Sequence, residues 1–335
     1  MKLLFTLLGL TGFILSSSAQ HDVTFSDLEL TQTNDRTLLY EIYSGKTDLQ
    51  IDASEVKKIN METGAGAVKI LQSIDDVFRV EAEIIISSNS VASALDIIEQ
   101  NLDLGISGRG DELYFVSIFD YEDNFDTDSD SRFRPFNFFK APARKVNIHV
   151  FVPKGIAIKI NDRSGELTFE GLNNDLDITD GSGNIKIRDV VGNVILVDYS
   201  GEIKIDNVNE GLAGQYLMDI EDTSGGLSLH NVSAHTKIQD SSGGIYVDAH
   251  NGDLDITDTS GGITVSQVVG SIRINDASGG MQVTGVEGNV EVTDNSGEIY
   301  INRVSENVIV RDSGSGGLNV QNVAGDVRGD VRKLY

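Results

Sequence analysis

An aspartate stands two residues ahead of a Ser-Gly pair again and again in this sequence: Asp162, Asp180, Asp198, Asp222, Asp240, Asp258, Asp276 and Asp294, with Asp312 continuing the column one residue out of step. Carboxylates in such a file have two kinds of chemistry open to them. Each can accept backbone N–H groups from its own turn, as Asx turns do. Alternatively, a stack of carboxylates with turn carbonyls offers the ligands Ca²⁺ prefers, which makes Asp180, Asp198, Asp222, Asp240, Asp258, Asp276 and Asp294 candidate Ca²⁺ ligands. The Gly-Gly-x-Gly-x-Asp signature of calcium rolls is absent. A second acidic group, Asp126, Asp128 and Asp130, has the opening spacing of an EF-hand loop, but Ser131 stands where its glycine belongs and Asn137 where its bidentate Glu belongs. The five histidines are His21, His149, His230, His235 and His250. With no cysteine there is no thiolate metal site, catalytic thiol or disulfide.

The elements that hold the aspartates are legible from the repeat. The Ser-Gly serines are Ser164, Ser182, Ser200, Ser224, Ser242, Ser260, Ser278, Ser296 and Ser315, spaced by 18 residues except for one step of 24 and a last step of 19. The extra six residues fall within 208–217. Each unit carries two short apolar-polar-apolar segments, for example Ile263, Val265 and Ile272, Ile274, separated by Gly, Asp, Ser and Asn. Period-two alternation of β-branched residues means strands, and the residues between them mean turns. Strands this short cannot bury a face alone, so the expected fold is all-β, a parallel β-solenoid with 18-residue coils stacked in register. The outward column Asp219, Lys237, Asp255, Arg273, Glu291 alternates in sign at every coil, as stacking about 4.8 Å apart favours.

Three regions follow: 1–19, 20–160 and 161–335. Lys2, the apolar run to Leu15 and small residues at Ser17 and Ala19 read as a signal peptide cleaved after Ala19. Residues 20–160 read as a less regular β-rich part, with strands expected at Leu49–Ile51, Ala67–Leu71, Phe78–Ile86, Leu113–Ile118 and Val146–Val152. Ser90–Leu102 is its helix, with Val91, Leu95, Ile98 and Leu102 on one face. The segment Thr63–Ile70 reads as a degenerate repeat, Ala65-Gly66 replacing Ser-Gly. An insertion at 119–140 is acidic in its first half and aromatic in its second, where Phe133, Phe136, Phe138 and Phe139 form a candidate docking surface. Residues 161–335 are the solenoid repeats.

Fifty-two acids against 26 bases exclude a nucleic-acid partner. No apolar run beyond the N-terminus spans a bilayer. Catalysis on a β-helix needs clustered carboxylates, or acids beside bases, on neighbouring coils. The polar column Thr168, Lys186, Lys204, Ser228, Tyr246, Thr264, Gln282, Tyr300, Asn319 contains no such cluster. His250 occupies a Val/Leu column, which points to packing at the rim.

The order Lys145–Leu172 (a hydrophobic strand, then Val-Pro-Lys-Gly, then the first Ser-Gly coil), followed by repeated Asp-x-Ser-Gly-x-Ile-x-Val units, resembles the bacterial putative-adhesin family of domain-of-unknown-function β-solenoids. The resemblance covers 46–335. It implies an exported, non-enzymatic binding or structural module of the cell envelope, periplasmic or on the surface of a Gram-negative cell, with a protein or polysaccharide ligand and no cofactor. It brings no site residues with it. Two other readings stay open: a carbohydrate-active β-helix lyase or hydrolase, and a periplasmic partner in envelope signalling.

Overall fold

A computed structural model describes residues 20–22, 25, 28–36, 40–120, 143–212 and 216–329. Residues 1–19, read above as a signal peptide, Asp126, Asp128, Asp130 and the four insertion phenylalanines lie outside them. The described chain is nearly all β, with parallel strands stacked coil upon coil. Each coil contributes a five- or six-residue strand such as Leu254–Asp258 to a first sheet, turns through Ser-Gly, and contributes a longer strand such as Gly261–Val269 to a second. Register is one coil per 18 residues: Leu254 lies beside Ile272 and Ile263 beside Met281. The 24-residue step leaves both sheets in register, Val194 beside Met218 and Ile203 beside Leu227, so the added residues sit in the corner between Val208 and Leu217.

Inward apolar residues from the two sheets form one continuous core along the stack, including Ile178, Ile187, Ile220, Leu229, Ile256, Val265, Val292 and Ile301. Three corners shape each coil. At the Ser-Gly corner the glycine has φ between +141° and +158°, and at Gly243 an added Cβ would lie 1.6 Å from the carbonyl oxygen of Gly225 one coil below. The coils approach there more closely than any side chain permits. In the second strand a left-handed residue (Asp189, Asn207, Asn231, Ala249, Gln267, Arg303 or Asn322) bends the chain and turns the next residue, such as Val208, back into the core. At the third corner, side chains knit coil to coil: Leu217 N–H donates to Asn193 Oδ1 (3.0 Å), Ser271 N–H to Asp253 Oδ1 (2.9 Å) and Asp326 N–H to Asn307 Oδ1 (3.0 Å).

The repeat extends upstream as the degenerate unit implies. The strand Lys58–Gln72 is a full coil, pairing residue for residue with Ala157–Glu170. Its other face pairs with Glu112–Phe119 and Arg144–Val152, so it lies between two coils that follow it in the chain. Beyond these the sheets turn antiparallel: Val77–Ser88 pairs with Arg144–Val152, and Leu102–Arg109 with Glu112–Phe119. The helix Val91–Asn101, capped by Ser90, packs between those strands. Ala94 and Ile98 are its buried residues, whereas Val91 is exposed, so the inward stripe is rotated from the Val91–Leu95 line.

One detail of the column differs from the sequence reading. Ser313, not Asp312, sits in register with Asp294; Asp312 turns outward and accepts the N–H of Gly314.

Candidate functional site

The aspartate column is buried. In Leu176-Asp177-Ile178-Thr179-Asp180 the aspartate shares parity with the two apolar residues before it, so it points inward with them. From Asp162 to Asp294 every member of the column is at most 4% exposed. One carboxylate oxygen of each member from Asp198 to Asp294 accepts the N–H of the serine two residues on, at 2.9–3.1 Å, which is turn capping. The structure thereby brings together the seven aspartates considered as Ca²⁺ ligands. No group of three or more metal-binding side chains suited to one ion occurs among the described residues. In register the column runs Ser117, Thr63, Asp162 and on to Asp294, then Ser313. Thr63 donates its hydroxyl to Asp162.

Burial pushes the carboxyls up: Asp162 and Asp258 to about 6, and Asp180 and Asp222 to about 7, where the charges of neighbouring aspartates add to the effect. Asp198, Asp240 and Asp276 are also raised by burial. Their burial was legible: a residue two positions beyond an inward isoleucine faces the same side of a strand.

On the surface, carboxylates are matched. Lys159 pairs with Asp177 (2.7 Å), Lys237 with Asp219 (3.9 Å), Arg273 with Asp255 (3.8 Å) and Arg311 with Glu291 (2.8 Å), which realises the alternating ladder. Arg311 holds the Glu291 carboxyl below the usual carboxylate range, and Lys69 and Arg188 do the same for Glu170. Exposed pairs of this kind contribute little stability each, about 0–1 kcal/mol.

The ladder also floors a groove. It runs along the outer face of the first sheet from Asn193 to Arg328, with a volume of about 950 Å³, the alternating charges at its base and Asn193, His235, Asn289 and Asn307 along its lip. Ile195 and Leu217 stand exposed at one end.

The histidines do not converge on one site. His230 lies 3.3 Å from Asp248 on the second sheet, His235 3.9 Å from Asp253 at the first, and His149 3.9 Å from Glu81. His250 replaces valine between Val232 and Val268 and is 1% exposed, inside the core rather than at its rim. Both ring nitrogens lack a well-formed hydrogen bond, and burial pushes the imidazole down to about 4. Between pH 6.5 and 4 the unfolded chain therefore takes up a proton that the folded chain refuses, and this residue weakens the fold as pH falls. His250→Val is expected to stabilise by about 1–2 kcal/mol at pH 7, and by more at pH 5. Urea unfolding at the two pH values checks both numbers.

Among curated proteins none matches the chain. Among solved structures it is similar to a putative lipid binding protein from Parabacteroides distasonis (11% identity, 84% of this chain and 96% of that one, TM-score 0.38). It is similar also to a putative cell adhesion protein from Clostridium sporogenes (10% identity, 70% and 99%, TM-score 0.31) and a putative adhesin from P. distasonis (16% identity, 84% and 95%, TM-score 0.29). Residues 123–269 match the family model Toastrack DUF4097, taking in the coils from Arg144 to Val269. Over that stretch, a little under half of its length, the chain is similar to the Toastrack family of domains of unknown function.

Proposed function

We propose that this chain is an exported, non-enzymatic binding module of the cell envelope, and that the groove along the first sheet holds an extended polysaccharide. The observation that carries this reading is repetition: the groove presents equivalent side-chain positions once per coil, about 4.8 Å apart, from Asn193 to Arg328. A polymer of repeating polar units meets the same acid-then-base pair of contacts every second coil. Pairing of the groove acids Asp219, Asp255 and Glu291 with Lys237, Arg273 and Arg311 supports binding over turnover. Export rests on the N-terminal segment, and no helix among the described residues is long and apolar enough to cross a membrane.

The test is a polysaccharide panel incubated with purified mature protein, read by calorimetry and by release of reducing ends. Binding without cleavage is expected, weakened roughly tenfold or more by Lys237→Ala with Arg273→Ala. Glycan turnover, or binding of an extended protein segment in place of any glycan, would overturn the reading. Protease treatment of intact cells after fractionation reports the compartment.

A further inference from the structure

We infer that the buried aspartate column is a proton ladder, in which every second carboxyl keeps its proton and donates it through Oδ2 to the carboxylate one coil away. Geometry supplies the argument. Asp162, Asp180, Asp198, Asp222, Asp240, Asp258, Asp276 and Asp294 lie in unbroken parallel register, one per coil. From Asp198 to Asp276, Oδ1 is occupied by the serine N–H while the buried Oδ2 meets no donor. A buried carboxylate oxygen without a donor is costly, and like charges one coil apart in an apolar interior are costlier still. A proton on alternate members removes both penalties, since each neutral carboxyl becomes the donor its neighbour lacks.

The groups facing each carboxyl leave no other source of compensation. Along the chain its inward neighbours are apolar, Ile178 before and Ile185 after Asp180. Above and below it are the adjacent aspartates; the serine two residues on donates its N–H to Oδ1 from Asp198 onward, while the N–H of the residue between them goes to the backbone carbonyl of the aspartate one coil away. No Lys, Arg or His among the described residues forms an ion pair with Asp162 through Asp276. At the ends the register places hydroxyls instead of carboxyls: Thr63, which donates to Asp162, and beyond it Ser117, whose buried Oγ has no partner, with Ser313 at the far end. The column thus ends on neutral groups that can donate. Burial raises every one of these carboxyls, and the charge of neighbouring aspartates adds to it at Asp180, Asp222, Asp258 and Asp276. Both carboxylate oxygens of Asp180 and Oδ2 of Asp162, its neighbour in register, are buried without a donor, so a proton on Asp180 would serve both residues.

Carboxyls raised in the folded state stabilise it fully below their unfolded value near 3.9, and that stability is lost as pH rises through 6 to 7. His250 changes in the opposite sense and serves as a constant background. The test compares the wild type with Asp180→Asn/Asp222→Asn/Asp258→Asn, in which each amide keeps the acceptor for the serine and offers a permanent donor. Unfolding at pH 5.5 is expected to release about three more protons from the wild type than from the variant. The wild-type Tm is expected to fall by roughly 5–10 °C more than the variant's between pH 5 and pH 8. A protonated-carboxyl infrared band in the folded wild type at pH 6, absent after unfolding, checks the ladder without any variant. Equal proton release, an absent band, or a Tm raised by added Ca²⁺ in the wild type alone would overturn it, the last by making the column a metal site.

Discussion

Gly243→Ala is expected to break the solenoid in its middle, at a cost of about 4 kcal/mol or more. The substituted Cβ would sit 1.6 Å from the carbonyl oxygen of Gly225 and 2.8 Å from its carbon, and both belong to backbone that cannot swing aside. Gly243 also holds φ at +151°, which an alanine resists. Relieving the clash would pull two coils apart and break the hydrogen bonds that Gly225 and Gly243 donate to Ser242 and Ser260. The neighbouring glycine provides the control. At Gly244 the nearest atom to an added Cβ is 3.9 Å away, and other coils place Glu166, Asn184 or Glu202 at that position. Gly244→Ala should therefore stay within about 0.5 kcal/mol of the wild type. Soluble yield and urea unfolding of the two variants decide the matter; equal stability would show that the close approach of the coils yields easily.

The second large effect is expected at the junction of coils and cap. Phe115 and Phe78 are both buried and meet edge to face, with ring centroids 6.3 Å apart and planes at 62°. Phe115 stands in the strand that pairs in parallel with Lys58–Gln72 and antiparallel with Leu102–Arg109; Phe78 stands in the antiparallel strand of the other sheet. The pair closes the core where parallel stacking gives way to antiparallel pairing. Phe115→Ala removes a ring that this rigid surround cannot replace, and a loss of about 3–5 kcal/mol is expected. Because each coil of a solenoid touches only its neighbours, the loss should appear as earlier melting at the N-terminal end, with the later coils persisting. Calorimetry coupled to limited proteolysis reads this; one undivided transition would show that cap and coils unfold as a unit.

What the sequence reveals of this fold follows its periodicity. The 18-residue spacing, alternating apolar residues and the Asp219–Glu291 charge column locate the coils and their register from Asp162 onward, because each coil repeats the same local physics. The placement of Lys58–Gln72 between later strands is not legible, since Thr63 meets Asp162 across 99 residues with no repeat to connect them. The site divides the same way. Ser-Gly and Asp-x-Ser identify the turn and its cap, while the burial of the carboxyls follows from strand parity, a signal that polar residues obscure when they are assumed to face water. The left-handed column has a weaker signature: Asn207, Asn231 and Asn322 suit it, but Ala249, Gln267 and Arg303 adopt the same φ under the constraint of the stack, against their own preference.

The last step of 19 residues is absorbed as a bulge between Val310 and Asp312, whereas the two longer excursions from the 18-residue rule occur at corners. One lies between Val208 and Leu217; the other separates Ser117 from Val146, which stand in register with Thr63 and Gly66 across the Ser-Gly corner. In each case the strands on either side resume their pairing without a shift. The frame therefore decouples shape from length of chain: new sequence can enter at a corner without renegotiating the core. The architecture is thus a chassis that takes up added chain at its corners without repacking its core.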